Sequence, residues 1–118
     1  MKSNIRIFAL LYVILVTLFI TNATAYPLHY ETTSFKVSGN CVMCKKRIES
    51  ALKGNPAIKS VDWNVNTKIV KVEYNPHSIS LEKIHQLIAD AGHDTDKVKA
   101  SQSVYIKLPD CCQYERKK

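Results

Sequence analysis

Between Thr32 and Ala100 the apolar residues switch back and forth between a period of two and a helical period, and the order of the switches limits the fold more than any other feature. Thr32 to Ser38 alternates, with Phe35 and Val37 on one face and Ser34 and Lys36 on the other, as a half-buried strand does. From Val42 to Lys53 the spacing is helical, with Ile48, Ala51 and Leu52 as the apolar stripe, and Gly54-Asn55-Pro56 stops the helix. Ile58 to Val65 aligns Val61, Trp63 and Val65, and Ile69 to Tyr74 aligns Val70, Val72 and Tyr74. The polar link Asn66-Thr67-Lys68 between them makes a hairpin. A second helix spans Leu81 to Ala91, with Leu81, Ile84, Leu87, Ile88 and Ala91 on one side. Ser80 is its N-cap, Glu82 lies in its first turn and Gly92 stands just past its end. Asp96 to Ala100 is read as a short last strand.

The order β-α-β-β-α-β predicts a ferredoxin-like α+β sandwich, a four-stranded antiparallel sheet with two helices on one face. Following the chain direction, the loops after the first strand, between the second and third strands, and after the second helix share one end. That end collects Cys41, Cys44 and His93, and leaves His77 at the opposite end.

Cys41-Val42-Met43-Cys44 lies in the first of those loops and runs directly into a helix. Unpaired N–H groups and the helix dipole favour an anion there, and Lys45-Lys46-Arg47 adds positive charge. Both effects move the thiols toward thiolate, the form that binds metals or attacks disulfides. The other two cysteines, Cys111 and Cys112, are adjacent. Disulfides that staple small domains close long loops; these pairs close almost none, so they read as sites. Two thiolates on one loop suit a soft cation. Cu(I) is favoured, Hg(II) also accepts two sulfurs, and Zn(II), which wants four ligands, needs more donors; Cd(II) is a further alternative. A Cu(I)–dithiolate carries one net negative charge, which Lys45 and Lys46 are placed to offset. His93 is either a third ligand or a polar loop residue, and His29, His77 and His85 are read as ordinary side chains.

The ends carry separate information. Lys2 and Arg6, the apolar run Ile7 to Ile20 and the A-x-A sequence Ala23-Thr24-Ala25 have the layout of a secretory signal peptide over residues 1–25. An apolar run of that length is short for a span of ~20 residues, which disfavours a retained anchor. Residues 26–31 are a lead-in, 32–100 the domain and 101–118 a tail. Cys111 lies 11 positions beyond Ala100, and a chain of that length reaches at most about 35 Å. The tail can therefore add sulfurs to the first pair, bind a second ion, or oxidise with itself or another chain. The net charge of +7 is scattered rather than striped, which argues against nucleic acid as a partner.

Residues 33 to 100 resemble the heavy-metal-associated domain, the family of copper chaperones, metal-ATPase amino-terminal modules and the periplasmic mercury carrier. The resemblance rests on Val37-Ser38-Gly39-Asn40-Cys41-Val42-Met43-Cys44, the Ile48/Leu52 helix, Val61-Asp62-Trp63-Asn64-Val65 with Val70-Lys71-Val72, and Ala91-Gly92-His93. The family's Gly-Met-Thr before the first cysteine is replaced by the shorter Gly39-Asn40, and His93 stands where members often have an aromatic residue or lysine. The ending Leu108-Pro109-Asp110-Cys111-Cys112-Gln113-Tyr114-Glu115-Arg116 resembles that of small exported bacterial members. The resemblance implies a non-enzymatic carrier or buffer of a soft metal ion, working in the periplasm through a surface Cys41/Cys44 pair, with a metal transporter or another thiol-bearing carrier as partner. Two alternatives use the same residues: a thiol–disulfide oxidoreductase and a disulfide-bonded interaction module.

Overall fold

The computed structural model describes residues 2–19 and 27–117. The expected cleavage site Ala23-Thr24-Ala25 lies outside them. The basic and apolar leader forms helix α1, Lys2–Phe19. No helix among the described residues is long and apolar enough to cross a membrane.

The domain follows as β1 (Glu31–Lys36), α2 (Val42–Lys53), β2 (Ile58–Trp63), β3 (Ile69–Tyr74) and α3 (Leu81–Asp90). β3 lies between β1 and β2 and is antiparallel to both. Phe35 and Trp63 both pair with Val70, and Thr33 and Val61 with Val72, so the period-two positions of the strands line one face. That face carries Val70, Val72 and Trp63, all fully buried, against Ile48 and Leu52 of α2 and Ile84 and Ile88 of α3. Ser80 caps α3 by accepting a 3.1 Å hydrogen bond from the Lys83 N–H.

The expected fourth strand does not form; the sheet has three. After α3 the chain makes a single bridge, Val37 to Thr95, with Ser38 N–H donating to Asp94 O at 2.8 Å and Asp96 N–H to Lys36 O at 3.2 Å. Then polar side chains turn it away. Thr95 Oγ1 accepts the N–H groups of Lys97 and Val98, and Asp94 Oδ1 accepts that of Ala100 at 2.7 Å. Donors captured by side chains are lost to a ladder. The expectation of two helices also needs correction: besides α2 and α3 there are α1, a helical turn α4 (Gln102–Tyr105) and a 3-10 turn at Asp110–Cys112.

The tail packs back on the domain. Gly92, at φ +103°, is the seat for Leu108: a Cβ there would stand 2.8 Å from Leu108 Cδ2. Beyond the 3-10 turn, the Tyr114 hydroxyl donates to Gly92 O and accepts from Asp94 N–H, both at 2.8 Å. Arg116 grips both carboxylate oxygens of Asp94, at 2.9 and 2.7 Å, and donates to Ala100 O.

Candidate metal centre

Cys41 is the N-cap of α2, in extended backbone, and Cys44 lies in the first helical turn. Their sulfurs are 3.7 Å apart and unbonded. They are not equally placed. Cys41 is half-buried at the rim, while Cys44 is fully buried and accepts the Asn40 N–H at 3.3 Å. The expectation of a surface pair thus holds for one thiol only. Cys44, Ile48 and Leu52 share one side of α2, and the side that faces the core takes Cys44 with it. Above Cys44 the loop is pinned closed. A Cβ on Gly39 would stand 3.0 Å from Cys44 Cβ and from the Trp63 ring, and Trp63 Nε1 donates to Val37 O.

The backbone N–H of Cys44 is the main influence drawing the Cys41 pKa down to about 7, opposed by partial desolvation and aided by the thiol of Cys44 and the N–H of Met43. Cys41 makes no full capping hydrogen bond, so the helix N-terminus acts on the sulfur through loosely aligned donors. Lys45 is less available to offset the sulfurs' charge than expected: its ammonium is committed to Glu49 at 2.6 Å, to Asp62 at 2.5 Å and to Trp63 O at 2.8 Å, tying α2 to β2. Lys46 remains exposed.

The tail cysteines reach this site. Cys41, Cys111 and Cys112 have sulfurs that all lie within 4.8 Å of one another. Cys111 and Cys112 are 3.9 Å apart and unbonded, and Cys41 Sγ lies 3.5 Å from Cys111 O. Cys111 is exposed and Cys112 fully buried. Burial pushes the Cys112 thiol well above its ordinary value, with the thiols of Cys44 and Cys111 adding to the rise. Met43, from between the loop cysteines, is exposed and places Sδ 3.6 Å from Cys111 Sγ. It faces the tail.

His93 is at this end of the domain but outside the sulfur trio. It is fully buried, its ring lies near that of Tyr114, and Nδ1 donates to Ser38 O at 2.8 Å; Nε2 is buried without a hydrogen-bond partner among the described residues. Burial lowers its pKa and keeps it neutral. His85 is a core residue on α3, stacked on Phe35 at 3.8 Å. His77 is exposed in the loop between β3 and α3, and His29 is exposed beside Glu31.

The profile of the heavy-metal-associated domain matches residues 34–94, from mid-β1 to just past α3. The chain belongs to the heavy-metal-associated domain family. Within that family it is similar to the copper chaperone CopZ of Staphylococcus epidermidis, 33% identical over 60 residues that cover 50% of this chain and 88% of the relative. A copper-transporting ATPase of Arabidopsis thaliana is 29% identical over 75 residues, which cover 63% of this chain and 8% of that protein. Among solved structures, the water-soluble region of the P-type ATPase CopA from Bacillus subtilis superposes with a TM-score of 0.56 at 28% identity, covering 59% of this chain and 47% of that one. The family match ends before the tail. The residues that sequence reasoning missed, Asp94, Tyr114 and Arg116, are those that bind the tail down, and polar residues in irregular chain carry no periodicity to reveal such a role.

Proposed function

We propose that this chain binds a soft metal ion, Cu(I) before Hg(II), Zn(II) or Cd(II), and passes it on or buffers it without catalysing a reaction. The observation that carries the reading is the Cys41/Cys44 pair, sulfurs 3.7 Å apart and unbonded, on a loop of the heavy-metal-associated fold. A thiolate bond to a filled-shell ion runs about 2.3 Å, so a linear two-sulfur site needs sulfurs roughly 4.6 Å apart, a small opening of this loop. Loading releases one proton for each thiol that binds, and Cys41, its pKa drawn down to about 7, gives up its proton more readily than an ordinary thiol. With Cys41 at the rim and Cys44 buried, a partner's thiolate approaches the ion from the Cys41 side. The relatives named for copper chaperoning and copper transport support copper as cargo and a transporter or thiol-bearing carrier as partner. The leader sequence supports export, with the working protein free of the membrane and in the periplasm.

Reduced protein should take up one Cu(I) with high affinity, measured by competition against a chromophoric Cu(I) chelator. The double variant Cys41→Ser/Cys44→Ser should lose that uptake. Wild-type uptake by the double variant would overturn the reading.

A further inference from the structure

The family's own site is the loop pair, and the match stops at residue 94, yet the tail brings two more sulfurs to the same place. We propose that Cys111 and Cys112 are built-in ligands, and that with Cys41 they form a three-thiolate site that draws the ion out of two-coordinate binding on the loop. This rests on the preceding reading that the loop pair binds the ion.

Geometry carries the proposal. Three sulfurs around one ion at bonds of about 2.3 Å stand roughly 4.0 Å apart when trigonal. Cys111 and Cys112 are 3.9 Å apart, and neither is more than 4.8 Å from Cys41. Adjacent cysteines in a loose tail would sample many separations, but these sit on a 3-10 turn held from both sides. On one side Leu108 fills the space over Gly92, and the Cys112 N–H donates to Pro109 O at 2.7 Å. On the other, Tyr114 and Arg116 tie the chain to Gly92, Asp94 and Ala100. Holding ligands in place before the ion arrives removes ordering cost from binding.

Cys41 belongs to both arrangements. The ion can therefore leave Cys44 for the tail with its bond to Cys41 intact. In that exchange the Cu–S bond to Cys44 breaks and bonds to Cys111 and Cys112 form. Of the two protons that the tail thiols give up, one goes to Cys44 and one to solvent, and copper stays Cu(I). Cys44 and Cys112 are sealed, so a partner's thiols reach the ion by way of Cys41 and Cys111. The tail then acts as a retention device that a partner must outcompete.

The test is Cu K-edge X-ray absorption on the full, reduced chain with one equivalent of Cu(I), with monomer confirmed by size exclusion. Three sulfurs around copper are expected in the wild-type monomer and two in Cys111→Ser/Cys112→Ser, whose Cu(I) affinity should fall by about 10²-fold. The wild-type count needs no variant: two sulfurs there overturn the proposal and leave the loop-pair reading standing. Three sulfurs in both proteins, or three found only in a dimer, overturn it as well. Complete loss of uptake in a double variant that keeps the wild-type circular dichroism spectrum overturns the exchange between loop and tail, because the loop pair must hold the ion by itself.

Discussion

Gly92 connects α3 to the tail through one backbone angle. At φ +103° an L side chain is strained, and its Cβ would also meet Leu108 at 2.8 Å. Gly92→Ala should therefore destabilise the protein by about 2 kcal/mol, combining backbone strain with displaced packing. Urea denaturation checks it, and a loss under about 0.5 kcal/mol would mean that Leu108 gives way at no cost. Glu49 shows a different residue-scale constraint. It is buried at 8% exposure on the core side of α2, where it accepts the Trp63 N–H at 3.1 Å and pairs with Lys45 and Lys53. Burial opposes its charge, but those partners together hold its carboxyl below the ordinary range. The same network occupies the Lys45 ammonium.

At the scale of elements, α2 and the tail form the site as a pair, the 3-10 turn lying against the helix. The tail has little regular structure, so its position depends on a few side-chain bonds. Tyr114→Phe keeps the ring beside Tyr105 and His93 but leaves Gly92 O and Asp94 N–H without their partner. A cost of about 1–2 kcal/mol is expected. It should fall locally: in metal-free protein, alkylation of Cys112 by iodoacetamide, followed by mass spectrometry under native conditions, should quicken more than global stability predicts. Unchanged reactivity at Cys112 would show that this hydroxyl does not hold the tail.

For the whole molecule, three buried titratable groups set the response to acid. Burial lowers the pKa of His85 and of His93 from 6.5. In the unfolded chain each takes up a proton near 6.5, and in the fold only at lower pH. The unfolded state therefore binds more protons below that point, and stability falls as pH drops from it. His85 faces Thr95 at 2.7 Å and Asp96 at 3.7 Å, with Glu82 and Lys97 acting at longer range. Asp96 and Glu82 offset only part of the desolvation. Glu49 adds a second loss: its contribution is complete above the unfolded value of 4.5 and disappears as pH falls through the folded one. Urea midpoints of metal-free protein should decline from pH 6.5 downward and continue to decline below 4.5. His85→Asn, which keeps a side-chain partner for Thr95 but does not titrate, should flatten the upper part; an unchanged profile would remove His85 from the account.

Local spacing alone was enough to read β1, α2, the β2–β3 hairpin, α3 and the Ser80 cap, because alternation and helical stripes are properties of neighbours along the chain. The placement of Cys41 and Cys44 at a helix start was legible for the same reason. Even the burial of Cys44 was available in its spacing to Ile48 and Leu52. Tertiary structure decided the rest. The fourth strand gave way because Asp94 and Thr95 side chains took the N–H groups a ladder needs. Lys45 is held by Asp62 and Glu49, which the fold brings within its reach. Cys111 and Cys112 met Cys41 across 70 positions of sequence because Gly92 and Asp94 gave the tail somewhere to bind. Contacts between residues so far apart leave no period in the chain, so only the folded molecule can specify them.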